Sequence, residues 1–296
     1  MPRSSWWQRA SACLRQPLRL GLCARLDHDK RRRECSVNEL LRGAVVQARV
    51  VYAVAIRETR TRFGGHQLGY AWALLEPTFW VLTFWGFLVI AGRGAPMGLE
   101  IVPFLVTGIV TYELAVKTAD RVSLSIDGNK ALLFYPHVHT LDLVFARGAL
   151  EFVTAVTVFA VLVGGHALLI QSLAVDDILR ALYGLVLAGL FGMSLGTVMC
   201  SLAVYNKLTH RIKGPIMRPL FWISGLFFSA NALPSHVRRY MLWNPILHCV
   251  EIVRDGWFPE YHARYADSNY VLAWIIGLSF IGLTLERRVR PRVQLT

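Results

Sequence analysis

Long apolar stretches alternate with short charged clusters along this chain, and that alternation bounds what the chain can be. From Pro77 to Ala91 there is no charge, and Phe79, Trp80, Phe84, Trp85 and Phe87 suit a helix surrounded by lipid or by other helices. Five further apolar segments follow: Ile101 to Ala119, with Glu113 and Lys117 near its inner end; Leu143 to Gln171; Leu182 to Tyr205; Pro219 to Leu233; and Tyr270 to Leu285. Each is near the length that crosses about 30 Å of hydrocarbon as a helix. The expected fold is all-α, a polytopic membrane protein with six transmembrane helices and both ends on one side.

Which side follows from the loops, because short segments rich in Lys and Arg stay in the cytoplasm. Lys207, Arg211, Lys213 and Arg218 crowd the stretch from Asn206 to Arg218 without an acid, and Arg287, Arg288, Arg290 and Arg292 follow the last crossing. On the opposite side Arg93 balances Glu100, Asp176 and Asp177 stand without a base, and Ser229 to Asn269 carries four bases against four acids. Both termini are therefore expected in the cytoplasm.

Ahead of the first crossing, Ser36-Val37-Asn38-Glu39 has the spacing of a capping box, in which the serine and glutamate satisfy free N–H groups reciprocally. Val37, Leu40, Leu41, Ala44, Val45, Ala48, Val51, Tyr52, Ala55 and Ile56 then recur at helical spacing, while Asn38, Arg42 and Arg49 fall elsewhere. This predicts an N-terminal amphipathic interface helix, too polar to span, lying along the cytoplasmic face. Residues 1–35 form a basic N-terminal arm with Trp6 and Trp7, and Arg15, Arg19 and Arg25 interrupt any signal-peptide core. The arm reads equally as a membrane-surface helix through Trp6–Leu26 or as a flexible tail.

Two segments are neither spans nor plain loops. The inner stretch DRVSLSIDGNKALLFYPHVHTLD mixes charge with the apolar run Ala131–Tyr135, which needs cover from the protein itself or from a partner. His137-x-His139 within it has no third ligand, so no metal site is expected. The outer stretch ALPSHVRRYMLWNPILHCVEIVRDGWFPEY reads as two short helices broken at Asn244-Pro245 and dipping into the outer interface. Glu251 and Arg254 fall three apart on one face of the second.

Composition narrows the class further. A hydrophobic content of 54% over 296 residues, with nine Trp, excludes an ordinary soluble domain. The formal charge of +13 is concentrated, since residues 1–66 hold 14 Arg and Lys against five Asp and Glu. Beside membrane spans, this reads as a cytoplasmic face held to anionic lipid rather than a nucleic-acid surface. Cys13, Cys23 and Cys35 lie in the basic region, Cys200 in a span and Cys249 in an outer loop, which suggests no disulfide framework.

Candidate chemistry is sparse. No GxxxxGK[ST] phosphate loop or HExxH occurs. Glu76, Glu113 and Glu151 read as single acids rather than a pair that divides acid and base roles. Glu76 and Pro77 sit inside an apolar segment, where a carboxylate and a missing N–H both need compensating neighbours. Trp72, Glu76, Phe79, Trp80, Thr83 and Phe87 share one face of that helix, suited to sugar rings or to helix packing. Gly184, Ala188, Gly192, Gly196 and Cys200 make a small-residue stripe for close helix approach, within the chain or at a dimer seam.

The order of a basic amphipathic helix, R-x-R-F then LGYAWALLEP, an inner loop ending LLFYPH and an outer LP…NPILHCVEIVRDGWF resembles the permease subunits of type-2 ABC exporters for bacterial surface polysaccharides. Within that group the likeness is greatest to the capsular polysaccharide exporter permease of Gram-negative bacteria, with O-antigen and teichoic acid exporter permeases as near relatives. It covers about residues 36–290. The resemblance implies an interface helix and lead-in over 36–66, a six-helix transmembrane domain over 67–290, an inner coupling loop at 120–142, outer re-entrant helices at 233–259 and a cytoplasmic tail at 291–296.

The same resemblance implies a homodimer with two copies of a separate cytoplasmic ATPase, which would bind ATP and Mg, leaving this chain without a cofactor. Asp127, Lys130, Leu132, Leu133, Phe134, Tyr135 and Pro136 would then face the ATPase. Trp72, Glu76, Phe79, Trp80, Thr83 and Trp222 would line the channel. Asn244, Pro245, Glu251 and Arg254 would gate its outer end, where periplasmic and outer-membrane export proteins dock. Arg57, Arg60 and Arg62 would draw a lipid-terminated, acidic polysaccharide to the inner mouth, since guanidinium groups pair with phosphate and carboxylate in two-point geometry; anionic lipid head groups suit them equally. A membrane-embedded transferase acting on lipid-linked sugars is the alternative from another class, and it requires paired acids or histidines at the interface.

Overall fold

Residues 43, 45–61, 69–92, 94–129, 132, 138–170 and 175–293 are described by a computed structural model, and helix is their dominant form. Of the first 49 residues, those described are helical; the elements named below belong to the unit that begins at Val50. In chain order they are α1 (50–61), α2 (Gly69–Ile90), α3 (Ile101–Ser123), α4 (Thr140–Ile170), α5 (Ile178–Tyr205), α6 (Leu208–Ile223), α7 (Ser235–Met241), α8 (Pro245–Trp257) and α9 (Ser268–Val293).

Five of these, α2, α3, α4, α5 and α9, are long and apolar enough to cross a membrane. Burial separates a centre from a periphery: 72% of the apolar window of α3 and 61% of that of α5 are buried, against 11% for α2 and 17% for α9. The central pair carries the core, with Leu105, Ile109 and Leu114 of α3 packed against Leu185, Leu187 and Ala188 of α5 and against Ile246 and Val250 of α8. The peripheral helices leave their apolar side chains outward, as a lipid solvent permits.

The small-residue stripe accounts for how closely the centre packs. A Cβ at Gly192 would stand 2.4 Å from the Ala115 carbonyl oxygen, and one at Gly196 would stand 2.8 Å from that of Ala119, so α5 lies backbone to backbone on α3. Gly184 extends the same contact to α8, where a Cβ would meet the Val253 nitrogen at 2.9 Å. The stripe therefore packs within the chain.

Local chemistry sets the helix starts. Asp177 Oδ1 accepts the N–H groups of Leu179 and Arg180 at 2.9 and 3.1 Å and caps α5. Asn244 Oδ1 accepts the Ile246 N–H at 3.0 Å, with Pro245 occupying the first helical position, where its missing N–H is no loss. The break expected at Asn244-Pro245 is present, with α7 before it and α8 after.

Three expectations differ from what is observed. The crossing expected over Pro219–Leu233 is built otherwise: α6 starts inside the basic stretch expected to be a loop and ends at Ile223, and its 16 residues rise about 24 Å. The chain then turns at Gly225, whose φ of +78° favours glycine, and Leu226, Ser229 and Ala230 are buried against the protein rather than against lipid. Hydropathy reads both kinds of burial alike. The inner loop is shorter than expected, because α3 continues through Asp120–Arg121 to Ser123 and α4 begins at Thr140. On α1 the packed face is Val50, Val51, Val54 and Ala55, while Tyr52 and Ile56 of the expected stripe point outward. Residues 36–42 of the expected interface helix lie outside the described residues.

Candidate functional site

A cavity of about 540 Å³ lies between α2, α3, α4 and α6. Its walls grade from apolar, at Val110, Leu114 and Val158, to charged, at Lys117, Asp120, Arg121, Glu151 and Lys213. Trp72, Ala73, Glu76 and Pro77 of α2 close one side. Lys117 Nζ stands 2.9 Å from Glu76 Oε2 and 2.9 Å from Glu113 Oε2, so the carboxylate that the sequence places in an apolar segment is compensated by an ammonium from the next helix. The expectation that these acids stand singly is corrected here: two of them converge on one lysine.

Toward the end of α3 the pairing continues. Lys213 of α6 bonds Asp120 at 2.8 Å and donates to Ser123 Oγ at 3.2 Å, and Arg121 lies 3.7 Å from Glu151 of α4. Arg147 of α4, nearly buried, pairs with Glu58 of α1 at 2.8 Å and donates to the Arg121 carbonyl at 2.8 Å. Arg57 donates to Asn129 Oδ1 at 3.2 Å, tying α1 to the short 3-10 turn Asp127–Asn129. Leu132 packs with Val54, Leu143 and Ala146, and His210 Nε2 lies 3.1 Å from Asp127. The inner loop is thus bound to α1, α4 and α6 at its near end.

Among the residues expected at the inner mouth, Arg57 makes this contact and Arg60 is exposed; Arg62 lies outside the described residues. Lys130, Leu133, Phe134, Tyr135 and Pro136 of the expected coupling segment do as well. Among the described residues no group of three His, Cys, Asp or Glu side chains is placed to hold a metal ion.

The aromatic face of α2 meets α6. Trp80 stacks on Phe84 at 5.7 Å between centroids and lies 5.8 Å from Phe221, while Phe84 reaches Phe227 at 4.3 Å. Tyr112 of α3 joins at 5.3 Å from Phe221 and donates its hydroxyl to the Met217 carbonyl at 2.8 Å. Trp72, Phe79 and Trp222 are each about two-thirds exposed, and Thr83, also exposed, donates to the Phe79 carbonyl at 2.7 Å. Of the six residues expected to line a path, Glu76 is therefore turned to Lys117 of α3, Trp80 packs toward α6, and Trp72, Phe79, Thr83 and Trp222 are largely exposed.

At the other end of the bundle, Arg254 is wholly buried. Its Nη1 donates to the Phe228 carbonyl at 2.9 Å, its Nη2 to Leu226 and Phe104 carbonyls at 3.2 and 3.4 Å, and its guanidinium lies 3.7 Å over the Phe104 ring. Glu251 Oε1 lies 3.5 Å from Arg254 and accepts the Ala230 N–H at 3.1 Å, and its Oε2 accepts the Tyr261 hydroxyl. Burial and then the Glu251 carboxylate push the Tyr261 phenol above its ordinary value, which keeps it the donor. Asn244 donates to Ser224 Oγ at 2.8 Å. These four expected gate residues face the protein interior, where they clasp the turn after α6 to α3 and α8.

Residues 49–258 match the family described as ABC-2 type transporter. This chain belongs to that family. Polysialic acid transport protein KpsM of Escherichia coli is 29% identical over 255 residues, which are 86% of this chain and 98% of KpsM. Capsule polysaccharide export inner-membrane protein CtrC of Neisseria meningitidis serogroup A is 29% identical over 266 residues, 88% of this chain and 99% of CtrC. BexB of Haemophilus influenzae, a capsule polysaccharide export inner-membrane protein, is 29% identical over 254 residues, 84% of this chain and 94% of BexB. Membership of the ABC-2 family makes the chain a membrane component of a transporter rather than an enzyme, and its five long apolar helices make it multi-pass.

Several residues of this ABC-2 chain carry weight that sequence reasoning missed. Tyr261 and Ser229 complete the Glu251 cluster from outside the helix that holds it. Asp255 pairs with Arg180 at the start of α5 and accepts the Ala263 N–H at 2.6 Å. His248 accepts the Asp267 N–H on Nδ1 at 3.0 Å, which leaves its proton on Nε2 for the Leu242 carbonyl at 2.8 Å. A local signal existed only for Glu251 and Arg254, spaced for one helix face. Cys249 beside them is buried, and burial pushes its thiol up to about 12, which disfavours the thiolate.

Proposed function

We propose that this chain is the permease of an ATP-driven exporter that moves lipid-linked capsular polysaccharide across the bacterial inner membrane, working as a homodimer with two separate ATPase subunits. The observation that carries the reading is the match to capsule export proteins over 94–99% of their own length. In this reading α6 supplies a sixth passage, both termini are cytoplasmic, and the end holding α7 and α8 faces outward toward periplasmic and outer-membrane export proteins. The exposed aromatic face of α2 and α6, with Trp72, Phe79, Trp80, Thr83 and Trp222, turns toward the second copy and lines the path.

Arg57, Arg60 and Arg62 then attract the acidic or phosphate-bearing end of the substrate, or anionic lipid, at the inner mouth. The inner loop from Asp127 to Pro136 meets the ATPase, which binds ATP and magnesium. Its near end is tied to α1 through Arg57–Asn129 and to α6 through Asp127–His210, giving a push on the loop two routes into the bundle. The transferase alternative gains little from Glu76 and Glu113, because Lys117 bonds both and leaves neither free as an acid or base.

The test is copurification from detergent with the ATPase encoded alongside, followed by ATP turnover with and without this chain. Stoichiometric binding and altered turnover are expected, both lost when Leu132, Leu133 and Phe134 are replaced together by aspartate. Binding that survives this replacement removes the coupling role, and no binding to the ATPase removes the export mechanism.

A further inference from the structure

We propose that Lys117 is a positioning residue that clasps α2 to the core through a transferable ion pair, and that α2 swings about Pro77 when this clasp opens. The idea rests on the transport reading for its purpose, but not for its geometry. Glu76 is the single charged residue of α2, and it is joined to Lys117 at 2.9 Å. Elsewhere α2 is the least buried of the five long helices and meets the core only through apolar, non-directional contacts of Leu74, Val81, Leu88 and its aromatic rings.

Breaking a buried ion pair ordinarily strands a charge, which is why such pairs are poor switches. Here Lys117 also holds Glu113, one turn away on its own helix, at the same 2.9 Å. When α2 leaves, Lys117 keeps a full partner. Glu76 is stranded instead, yet its side chain is 41% exposed beside the cavity, where water can solvate it. Neither half is left as an uncompensated buried charge, so the clasp can open and reclose.

A hinge and a space lie at the same level. Pro77 follows Glu76 directly and has no N–H to return to the Ala73 carbonyl, so the helical ladder of α2 is broken one residue from the clasp. Ala73, Glu76 and Pro77 all line the 540 Å³ cavity, which gives the hinged part room to move against α3 and α4. Clasp, hinge and space together make α2 the mobile element of the bundle.

Ala73→Cys reports the clasp through its labelling by a small maleimide in membranes holding the full chain. Cys13, Cys23 and Cys35 are replaced by serine; Cys200 and Cys249 are buried. Glu76→Gln removes the clasp and should raise labelling roughly two- to fivefold, the range for loss of one partly exposed pair, and should lower polysaccharide export. Glu113→Gln has the opposite effect on labelling: Lys117 then has only Glu76, opening strands it, and labelling falls below that of the parent while export also slows. A merely structural role would raise labelling in both variants, and that result, or equal labelling in all three, overturns the proposal. If the parent chain exports no polysaccharide, the transport reading fails while the order of labelling still decides the clasp.

Discussion

Replacing Arg254 with methionine should cost about 3–5 kcal/mol of stability, the range for removing one partner of a buried pair. The methionine fills much of the space but leaves Glu251 charged and buried, with only the Tyr261 hydroxyl and the Ala230 N–H to hold it. It also strips donors from the Leu226 and Phe228 carbonyls, which follow α6 in irregular backbone. Glu251→Gln should cost less, because Arg254 keeps its three carbonyl partners. Thermal unfolding in detergent, followed by size-exclusion chromatography, measures both. Equal melting of the two variants would contradict the view that the guanidinium is the centre of the cluster.

Gly192→Leu should prevent α3 and α5 from docking and leave little folded protein. Even Gly192→Ala should cost about 1–3 kcal/mol as overpacking, since its Cβ would fall 2.4 Å from the Ala115 carbonyl oxygen, and backbone cannot rotate away as a side chain can. Gly164→Ala provides the control of opposite sign. Nothing lies within 4 Å of a Cβ there, so the better helix former should stabilise α4 by about 0.5–1 kcal/mol. The same unfolding measurement ranks the two alanine variants, the yield of folded protein reports Gly192→Leu, and a neutral Gly192→Ala would mean that the two helices are less tightly apposed than described.

How much of this was legible in the sequence depended on how local the cause was. The break at Asn244-Pro245 and the facing of Glu251 and Arg254 are set within one turn of helix, and reading the residues sufficed. So did the glycine stripe of α5, although whether Ala115 or a second copy lay across it is a tertiary fact. The run after Pro219 misled because apolar composition records burial without naming the solvent: Leu226 and Ala230 are covered by the protein, and Arg254 holds the carbonyls between them.

The charged site was half legible. Glu113 and Lys117 stand four apart on one helix, which the sequence displays, but Glu76 lies 41 positions from Lys117 and only the packing of α2 on α3 joins them. For α1 the difference is one of phase. Val54 is the most buried residue of its packed face, whereas Tyr52 and Ile56, equally apolar, point outward, and both phases fit a helix whose environment is lipid on one side and protein on the other.

The measurement that bears most directly on the central claim is transport itself. Inverted inner-membrane vesicles carrying this chain and its ATPase would be given a labelled, lipid-terminated capsular polysaccharide on the outside, and its protection from an added glycosidase followed with and without ATP. Protection should require ATP and this chain together and should be lost in Trp72→Ala, Trp80→Ala and Trp222→Ala variants that still bind the ATPase. Protection independent of ATP, or none with a competent ATPase bound, would contradict that claim.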